Sequence, residues 1–218
     1  MNYVDPTGLY IQLIGTTGEK NQLLLELQTL TNYELYYNVD GYVGIKGNCL
    51  LHQTKFWYSK GNALIFRMLN INKICSIEIT SGGNSTSFTV SGATNGKGTD
   101  ATVLFNHDFD PDIMTVDKST TLVRNAKRPP YIGLAHELIH ADHAMRGVVK
   151  TGTADYKYKT SRTKSYFIFS WWWWWSYTYT TQKDVLKEEL STVGLAYSGD
   201  ITENQIRNEH GLELRGAY

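Results

Sequence analysis

The chain has 218 residues, and its 21 Lys and Arg residues balance 21 Asp and Glu residues. This length predicts one domain whose core is large enough to fold without disulfide or metal staples. Charged residues make up 19% of the chain and hydrophobic residues 41%, which excludes an acidic disordered tail and a membrane protein. The zero net charge also argues against nucleic acid as a partner, because phosphate binding needs a basic face.

The first half of the chain is predicted to be mainly β. Residues 9–14 predict a short strand, and residues 20–31, rich in Leu, Gln and Glu, predict a helix. From about residue 33 to 106, short runs of Tyr, Val, Ile, Thr and Phe are separated by Gly, Asn and Asp. That texture is typical of antiparallel strands joined by turns.

The second half is predicted to be mainly helical. Pro129 and Pro130 end whatever precedes them, and a helix follows with the sequence YIGLAHELIHADHAMRG. Strands first and helices later predict an α+β fold. The remaining predicted elements are a loop or hairpin at 150–165, a helix at 183–197 and a helix at 202–210 with a Thr202–Gln205 capping box.

The cysteines and the apolar runs indicate the redox environment of the protein and whether it carries a targeting or membrane segment. Cys49 and Cys75 fit no CxxC spacing, and two free thiols are favoured over one bridge. Residues 1–10 lack a basic and an apolar region, so no secretory signal is expected. The longest apolar run, residues 167–179, is shorter than the ~20 residues of a spanning helix, so no transmembrane segment is predicted.

Five consecutive tryptophans, Trp171 to Trp175, stand within that run. Neighbouring side chains of a strand point to opposite faces, so the five cannot all be buried on one side. A two-faced strand or hairpin, an exposed aromatic patch for a partner or membrane interface, and local disorder are the alternatives.

The segment His136-Glu137-Leu138-Ile139-His140 carries the chemistry. Residues four apart lie on one helix face, so both imidazoles can bind one zinc ion. Glu137 is rotated by about 100° and can reach the remaining coordination position, where it would take a proton from water. His143 should point past the ion.

A catalytic zinc needs a third protein ligand, and a carboxylate from another element is expected. Glu189 shares a predicted helix face with Val185 and Val193 and should point inward, whereas the face of Glu188 is more polar. Because a buried carboxylate needs a partner, Glu189 is the expected ligand, with Glu188 as the alternative or as a partner of a ligand imidazole.

The segment PPYIGLAHELIHADH with the later EELSTVGL resembles the zinc peptidases that include NleD-type effectors of pathogenic bacteria. It is also similar to the clostridial neurotoxin light chains. The resemblance covers about residues 98–218 and implies a zincin-like α+β metallopeptidase with Zn²⁺ bound by His136, His140 and Glu189. It also implies that Arg215 and Tyr218, in R-x-x-Y spacing, stabilise the oxyanion, with Glu203 or Glu209 orienting Arg215.

The segment Asn2–Leu9, NYVDPTGL, resembles the junction that closes the shell of Rhs/YD-repeat polymorphic toxins. This implies a junction at residues 1–10 and a toxin domain at 11–218, delivered into a target cell as part of a larger toxin. A protein substrate in the target cytosol and an immunity protein are the implied partners.

Together these inferences predict hydrolysis of peptide bonds, with Glu137, Arg215 and Tyr218 as catalytic residues. In zincins an edge strand commonly lies along the cleft, and Thr99–Phe105 is expected to be that strand. The alternatives are a non-catalytic module that binds through the cleft or the tryptophans, and a zinc hydrolase that acts on something other than peptides.

Overall fold

The computed structural model describes residues 10–50, 58–116, 122–168, 171–197 and 199–218. For residues 48–50, 162–168 and 171–176 it describes the backbone. The predicted junction at residues 1–10 therefore lies outside the described residues, apart from Tyr10. The side chain of Cys49 and those of the five tryptophans lie outside them as well.

Within this part of the chain, helices and strands alternate in a mixed arrangement that confirms the predicted α+β class. The strands are β1 (Ile11–Leu13), β2 (Tyr33–Tyr37), β3 (Val43–Leu50), β4 (Cys75–Ile79), β5 (Ser85–Phe88), β6 (Ala101–Phe105), β7 (Ile113–Val116), β8 (Val123–Ala126), β9 (Thr153–Ile168) and β10 (Trp171–Leu186). The helices are α1 (Thr17–Thr29), α2 (Ser59–Leu69), α3 (Val90–Ala93), α4 (Pro130–Arg146), α5 (Lys187–Val193) and α6 (Glu203–Glu209).

The first sheet has the strand order β1-β4-β6-β5. Strand β4 pairs in parallel with both β1 and β6, and only β5 runs antiparallel to its neighbour. The expectation of antiparallel strands throughout residues 33–106 is therefore wrong, and α2 was not foreseen. Parallel strands need a long connection between them, and α1, β2, β3 and α2 provide that connection between β1 and β4.

The predicted edge strand is also misplaced. Residues 101–105 form β6, which is enclosed between β4 and β5, so β5 is the edge of the sheet on that side. The alternation of buried and half-buried residues in β6 suits an inner strand as well as an edge strand. Periodicity alone could not separate the two cases, because it reports one sheet face and not the number of neighbours.

The second sheet has the order β10-β9-β8-β7. Strands β9 and β10 are antiparallel over sixteen residues each, so the segment 150–165, predicted to be a loop or hairpin, lies mostly in one strand of a longer hairpin. The tryptophan run belongs to β10 by its backbone. Which face its side chains take lies outside the described part of the structure.

Helix α4 is enclosed on every side. It starts with Pro130 in the first turn, where a missing amide is tolerated, and ends at Gly147 in the left-handed conformation, φ 73°. Residues 132–145 are all buried, because α4 contacts β5, β6 and all five other helices. The face of α4 that carries His136, His140 and His143 is therefore covered as well as its apolar face.

An ionic cluster braces the C-terminal end of α4. Asp142 Oδ1 accepts from Arg67 Nε at 2.7 Å, and Asp142 Oδ2 accepts from Arg146 Nη2 at 2.8 Å. Both arginines also contact Asp200. Although Asp142, Asp200 and His143 lie close enough to share an ion, the two arginines already neutralise these carboxylates.

The last two helices differ in how well they were foreseen. Helix α6 has the predicted capping box, in which Thr202 accepts from the Gln205 amide. Helix α5 begins only at Lys187, so residues 183–186 belong to β10 and Val185 lies on a strand. The helical face used to orient Glu189 was therefore partly wrong. Among the described residues, no helix combines the length and apolarity needed to cross a bilayer.

Gly98 and Gly96 provide a test of how α4 is packed. Both have a left-handed backbone, φ 73° and 79°, but a Cβ on Gly98 would lie 1.8 Å from Met145 O while one on Gly96 meets nothing within 4 Å. We expect Gly98→Ala to lower the free energy of unfolding by about 1–3 kcal/mol more than Gly96→Ala in urea titration. Equal losses would mean that backbone strain alone matters and that this contact with α4 is unimportant.

Candidate metal and catalytic site

Three side chains converge at the middle of α4. His136 Nε2 lies 3.2 Å from His140 Nε2 and 3.2 Å from Glu189 Oε2, and His140 Nε2 lies 3.3 Å from Glu189 Oε1. Ligands at 2.0–2.1 Å around tetrahedral zinc are separated by ~3.3 Å. The three donors therefore match the spacing and chemistry of a zinc site.

The far sides of both imidazoles face oxygen atoms. His136 Nδ1 lies 2.9 Å from Glu203 Oε2, and His140 Nδ1 lies 3.4 Å from Glu188 Oε1 and 3.3 Å from Thr192 Oγ1. A carboxylate accepts only, so each Nδ1 is the protonated nitrogen. In the neutral tautomer each Nε2 then directs its lone pair to the shared point, as metal ligands require.

This cluster attracts positive charge. Burial would lower the pKa of His140, but hydrogen bonds with Glu188 and contacts with Glu189 outweigh it and raise the pKa to about 10. Although burial opposes it, contacts with both imidazoles hold the pKa of Glu189 far below its usual range. Glu189 Oε2 is buried and makes no properly aligned hydrogen bond in the described chain. A cation between these groups would satisfy all of them.

Glu188 serves two imidazoles rather than one. Its Oε1 lies 2.6 Å from His143 Nδ1 and 3.4 Å from His140 Nδ1, while its Oε2 accepts from the Lys150 amide at 2.8 Å. His143 thus points towards Glu188 and away from the shared point, as its position on the helix predicted. Burial would raise the pKa of Glu188, but its hydrogen bonds with His140 and His143 lower it to about 2.

Glu137 is buried beside this cluster. The hydroxyl of Thr86, on the edge strand β5, lies 2.8 Å from Glu137 Oε2 and 3.0 Å from the Glu137 main-chain oxygen. Glu137 directly follows His136 in α4, and its negative charge is among the causes that raise the pKa of His140. Nothing in the sequence around Thr86 indicated this contact, because it joins residues 51 positions apart.

The C-terminal residues are held against the second sheet. Arg215 pairs with Thr115 of β7 in an antiparallel bridge, and Gly216 N donates to Met114 O at 2.9 Å. The side chain of Asn204 bonds both main-chain groups of Arg215, accepting from its amide at 2.6 Å and donating to its carbonyl at 2.9 Å. The tail is therefore part of the folded structure.

These contacts bring Arg215 and Tyr218 to the site. The Arg215 guanidinium lies 4.3 Å from the centre of the Tyr218 ring, and that ring lies 6.3 Å from the His136 ring. Burial, followed by the charge of Glu189 and a hydrogen bond to it, raises the pKa of Tyr218. The phenol therefore stays protonated and can donate a hydrogen bond at neutral pH.

Of the two candidate glutamates, Glu203 is the one that contacts Arg215. Glu203 Oε2 lies 3.2 Å from Arg215 Nη1, whereas Glu209 accepts from Ser59 and Lys60 on the other side of α6. The sequence left both possibilities open. It also gave no sign that Glu203, which is fully buried, holds His136 with the same oxygen atom.

The family model Peptidase_M91, described as an effector protein, matches residues 46–218. The light chain of botulinum neurotoxin serotype HA is 15% identical with a TM-score of 0.36, over 89% of this chain and 44% of the light chain. The serotype C1 light chain protease is 15% identical with a TM-score of 0.32, over 79% and 40%. The chain spans less than half the length of either. No curated protein matches it.

Glu188→Gln tests how the imidazoles are held. We expect it to weaken zinc binding about 10- to 100-fold in competition with a chelator of known affinity, because it removes the charge behind His140. Glu209→Gln is the matched control, since Glu209 also accepts from backbone amides but contacts none of the converging residues. Equal zinc affinities of the two variants would contradict the role given to Glu188.

Proposed function

Because the chain belongs to the Peptidase_M91 family of effector proteins, we propose that it is a zinc-dependent endopeptidase that hydrolyses a protein of the cell it enters. His136, His140 and Glu189 hold the zinc ion in this proposal. Glu137, Arg215 and Tyr218 are the catalytic residues, and Glu188 supports the ligand imidazoles.

One observation carries this proposal. Two imidazole nitrogens and a carboxylate, contributed by α4 and α5, lie within 3.3 Å of one another, and the buried Glu137 follows His136 in the same helix. Burying two histidines and a glutamate in this way without a partner would strongly destabilise the fold. Metal binding accounts for the burial, for the orientation of both rings, and for the oxygen of Glu189 without a hydrogen bond.

Bound zinc would supply Lewis acidity, polarising the scissile carbonyl and lowering the pKa of the attacking water. Glu137 takes a proton from that water and later delivers it to the leaving amine. Thr86 restricts the carboxylate to one orientation, because its hydroxyl contacts both Oε2 and the main-chain oxygen of Glu137. This contact leaves Glu137 Oε1 for the proton transfer.

Tyr218 and Arg215 act on the negative charge that develops on the carbonyl oxygen. The protonated Tyr218 hydroxyl donates to that oxygen. Arg215 stacks on the ring face, where its charge strengthens the phenol as a donor, and Glu203 fixes the guanidinium from behind. The contact between Arg215 and the ring supports a shared role for the two residues in place of two independent ones.

We place the chain as the C-terminal toxin domain, residues 11–218, that follows an Rhs-type junction at residues 1–10. It would be secreted or delivered as part of a larger toxin, act in the target cytosol and require an immunity protein in the producing cell. The family's description as effector proteins supports delivery into another cell.

Glu137→Gln separates catalysis from binding. We expect a loss of about 10²–10⁴-fold in cleavage of a denatured protein pool, with zinc content unchanged, because the variant keeps the ligands and loses the base. Glu34→Gln, at an exposed ion pair with Lys46, is the control. If toxicity in cells persists in Glu137→Gln, the chain acts as a binding module. If only nucleotides or other small molecules are hydrolysed, the peptidase assignment fails.

Tyr218→Phe tests the proposed oxyanion donor. We expect kcat to fall about 10²–10³-fold while KM and zinc content change little, because the hydroxyl would act mainly in the transition state. Tyr37→Phe removes a phenol that donates to Asn21 far from the site and serves as the matched control. A rise in KM with unchanged kcat would instead give Tyr218 a role in substrate binding.

A further inference from the structure

Two buried hydrogen-bond donors lie beside the catalytic cluster without an acceptor. Asn84 Nδ2 and Arg128 Nε make no hydrogen bond in the described part of the chain, although Arg128 is only 7% exposed. The Asn84 amide is oriented by Asn106, whose backbone N–H donates to Asn84 Oδ1 at 2.8 Å. The donor end of the amide is therefore directed by the fold and is not an arbitrary choice of rotamer.

The donor atoms of both side chains lie close together, above Gly133 of α4. A Cβ on Gly133 would lie 2.7 Å from Asn84 Nδ2 and 3.3 Å from both Nε and Nη2 of Arg128. Gly133 precedes Glu137 by one helical turn on the same face. Asn84 precedes Thr86, which holds Glu137, by two residues. The two donors thus lie next to the proposed general base.

Arg128 brings a positive charge to this place that no carboxylate in the described chain neutralises by a hydrogen bond. Its titratable neighbours are Glu203 and the three proposed catalytic residues, Arg215, Glu137 and Tyr218. Glu203 is already bonded to His136 and Arg215, and Glu137 to Thr86. A buried guanidinium with an unused donor is costly unless something accepts from it.

We propose that Asn84 and Arg128 form a subsite for a carboxylate side chain, Asp or Glu, of the substrate close to the scissile bond. This inference rests on the proposed peptidase function. A guanidinium presents a planar fork that matches a carboxylate, and the amide adds a third donor. The lack of a side chain on Gly133 lets both donor groups come this close to α4, because a Cβ there would collide with them.

Cleavage-site profiling tests the proposal. A peptide library made from a denatured proteome is digested with the wild type, and the new N-termini are sequenced. We expect Asp and Glu to be enriched at one fixed position near the cut. Synthetic peptides of one cleaved sequence then carry Glu, Gln or phosphoserine at that position, so that a carboxylate and a phosphate can be told apart.

Three variants decide the role of the two donors. Arg128→Met and Asn84→Asp should lower kcat/KM for the Glu peptide about 10- to 100-fold and should change kcat/KM for the Gln peptide little. The first variant removes the guanidinium that would bind the substrate carboxylate. The second occupies that guanidinium with a carboxylate of the protein itself. Lys127→Met is the matched control, because it also removes one positive charge, but from the preceding residue, whose side chain is 69% exposed.

A thermal measurement gives a readout independent of catalysis. In Asn84→Asp the new carboxylate can accept from Arg128 while still accepting from Asn106, so we expect Tm to rise by about 2–4 °C, whereas Asn84→Ala should not raise it. A fall in Tm in both variants would mean that the two side chains share no acceptor position, and the subsite would be excluded.

Other outcomes overturn the proposal in distinct ways. Equal losses for the Glu and Gln peptides would reduce Arg128 to a structural role. Faster cleavage of the phosphoserine peptide than of the Glu peptide would replace the carboxylate by a phosphate. Absence of an acidic preference, with Glu137→Gln inactive, would remove the subsite and leave the peptidase. If the wild type cleaves nothing, the proposed function fails and the subsite with it.

Discussion

Burying two imidazoles side by side on one helix requires negative charge behind them, and the packing around α4 supplies it. Glu188 from α5 and Glu203 from α6 take the outer nitrogens, while Glu189 faces the inner ones. Helices α5 and α6 are short, seven residues each, and would not be stable alone. Their position against α4 therefore depends on packing and on these contacts, and the site and the fold are stabilised together.

Glu203 links the two halves of the site. One carboxylate contacts His136, Arg207 and Arg215, so the helix that orients a proposed metal ligand also orients the C-terminal tail. The next residue, Asn204, bonds both main-chain groups of Arg215. A displacement of the first turn of α6 would move the imidazole and the Arg215–Tyr218 pair at the same time.

Some features were accessible from the sequence because they depend on neighbours along the chain. The helix from Pro130, the capping box at Thr202 and the four-residue spacing of His136 and His140 follow from local geometry. The direction of β4, the inner place of β6 and the late start of α5 did not follow. Short apolar runs report burial, whereas strand order and direction depend on where distant segments pack.

The candidate site also has a part that the sequence specifies locally and a part that only the fold brings together. The sequence by itself determined that two histidines and a glutamate share one helix, that a pair of glutamates follows at 188–189, and that an Arg-x-x-Tyr motif lies at 215–218. Only the tertiary structure decided that Glu203 rather than Glu209 meets Arg215, that Thr86 meets Glu137, and that Asn84 and Arg128 share a place above Gly133. The first two pairs are separated by 12 and 51 residues, and Asn84 and Arg128 lie in two different loops. No local periodicity encodes a distance between segments that only the folded core brings together.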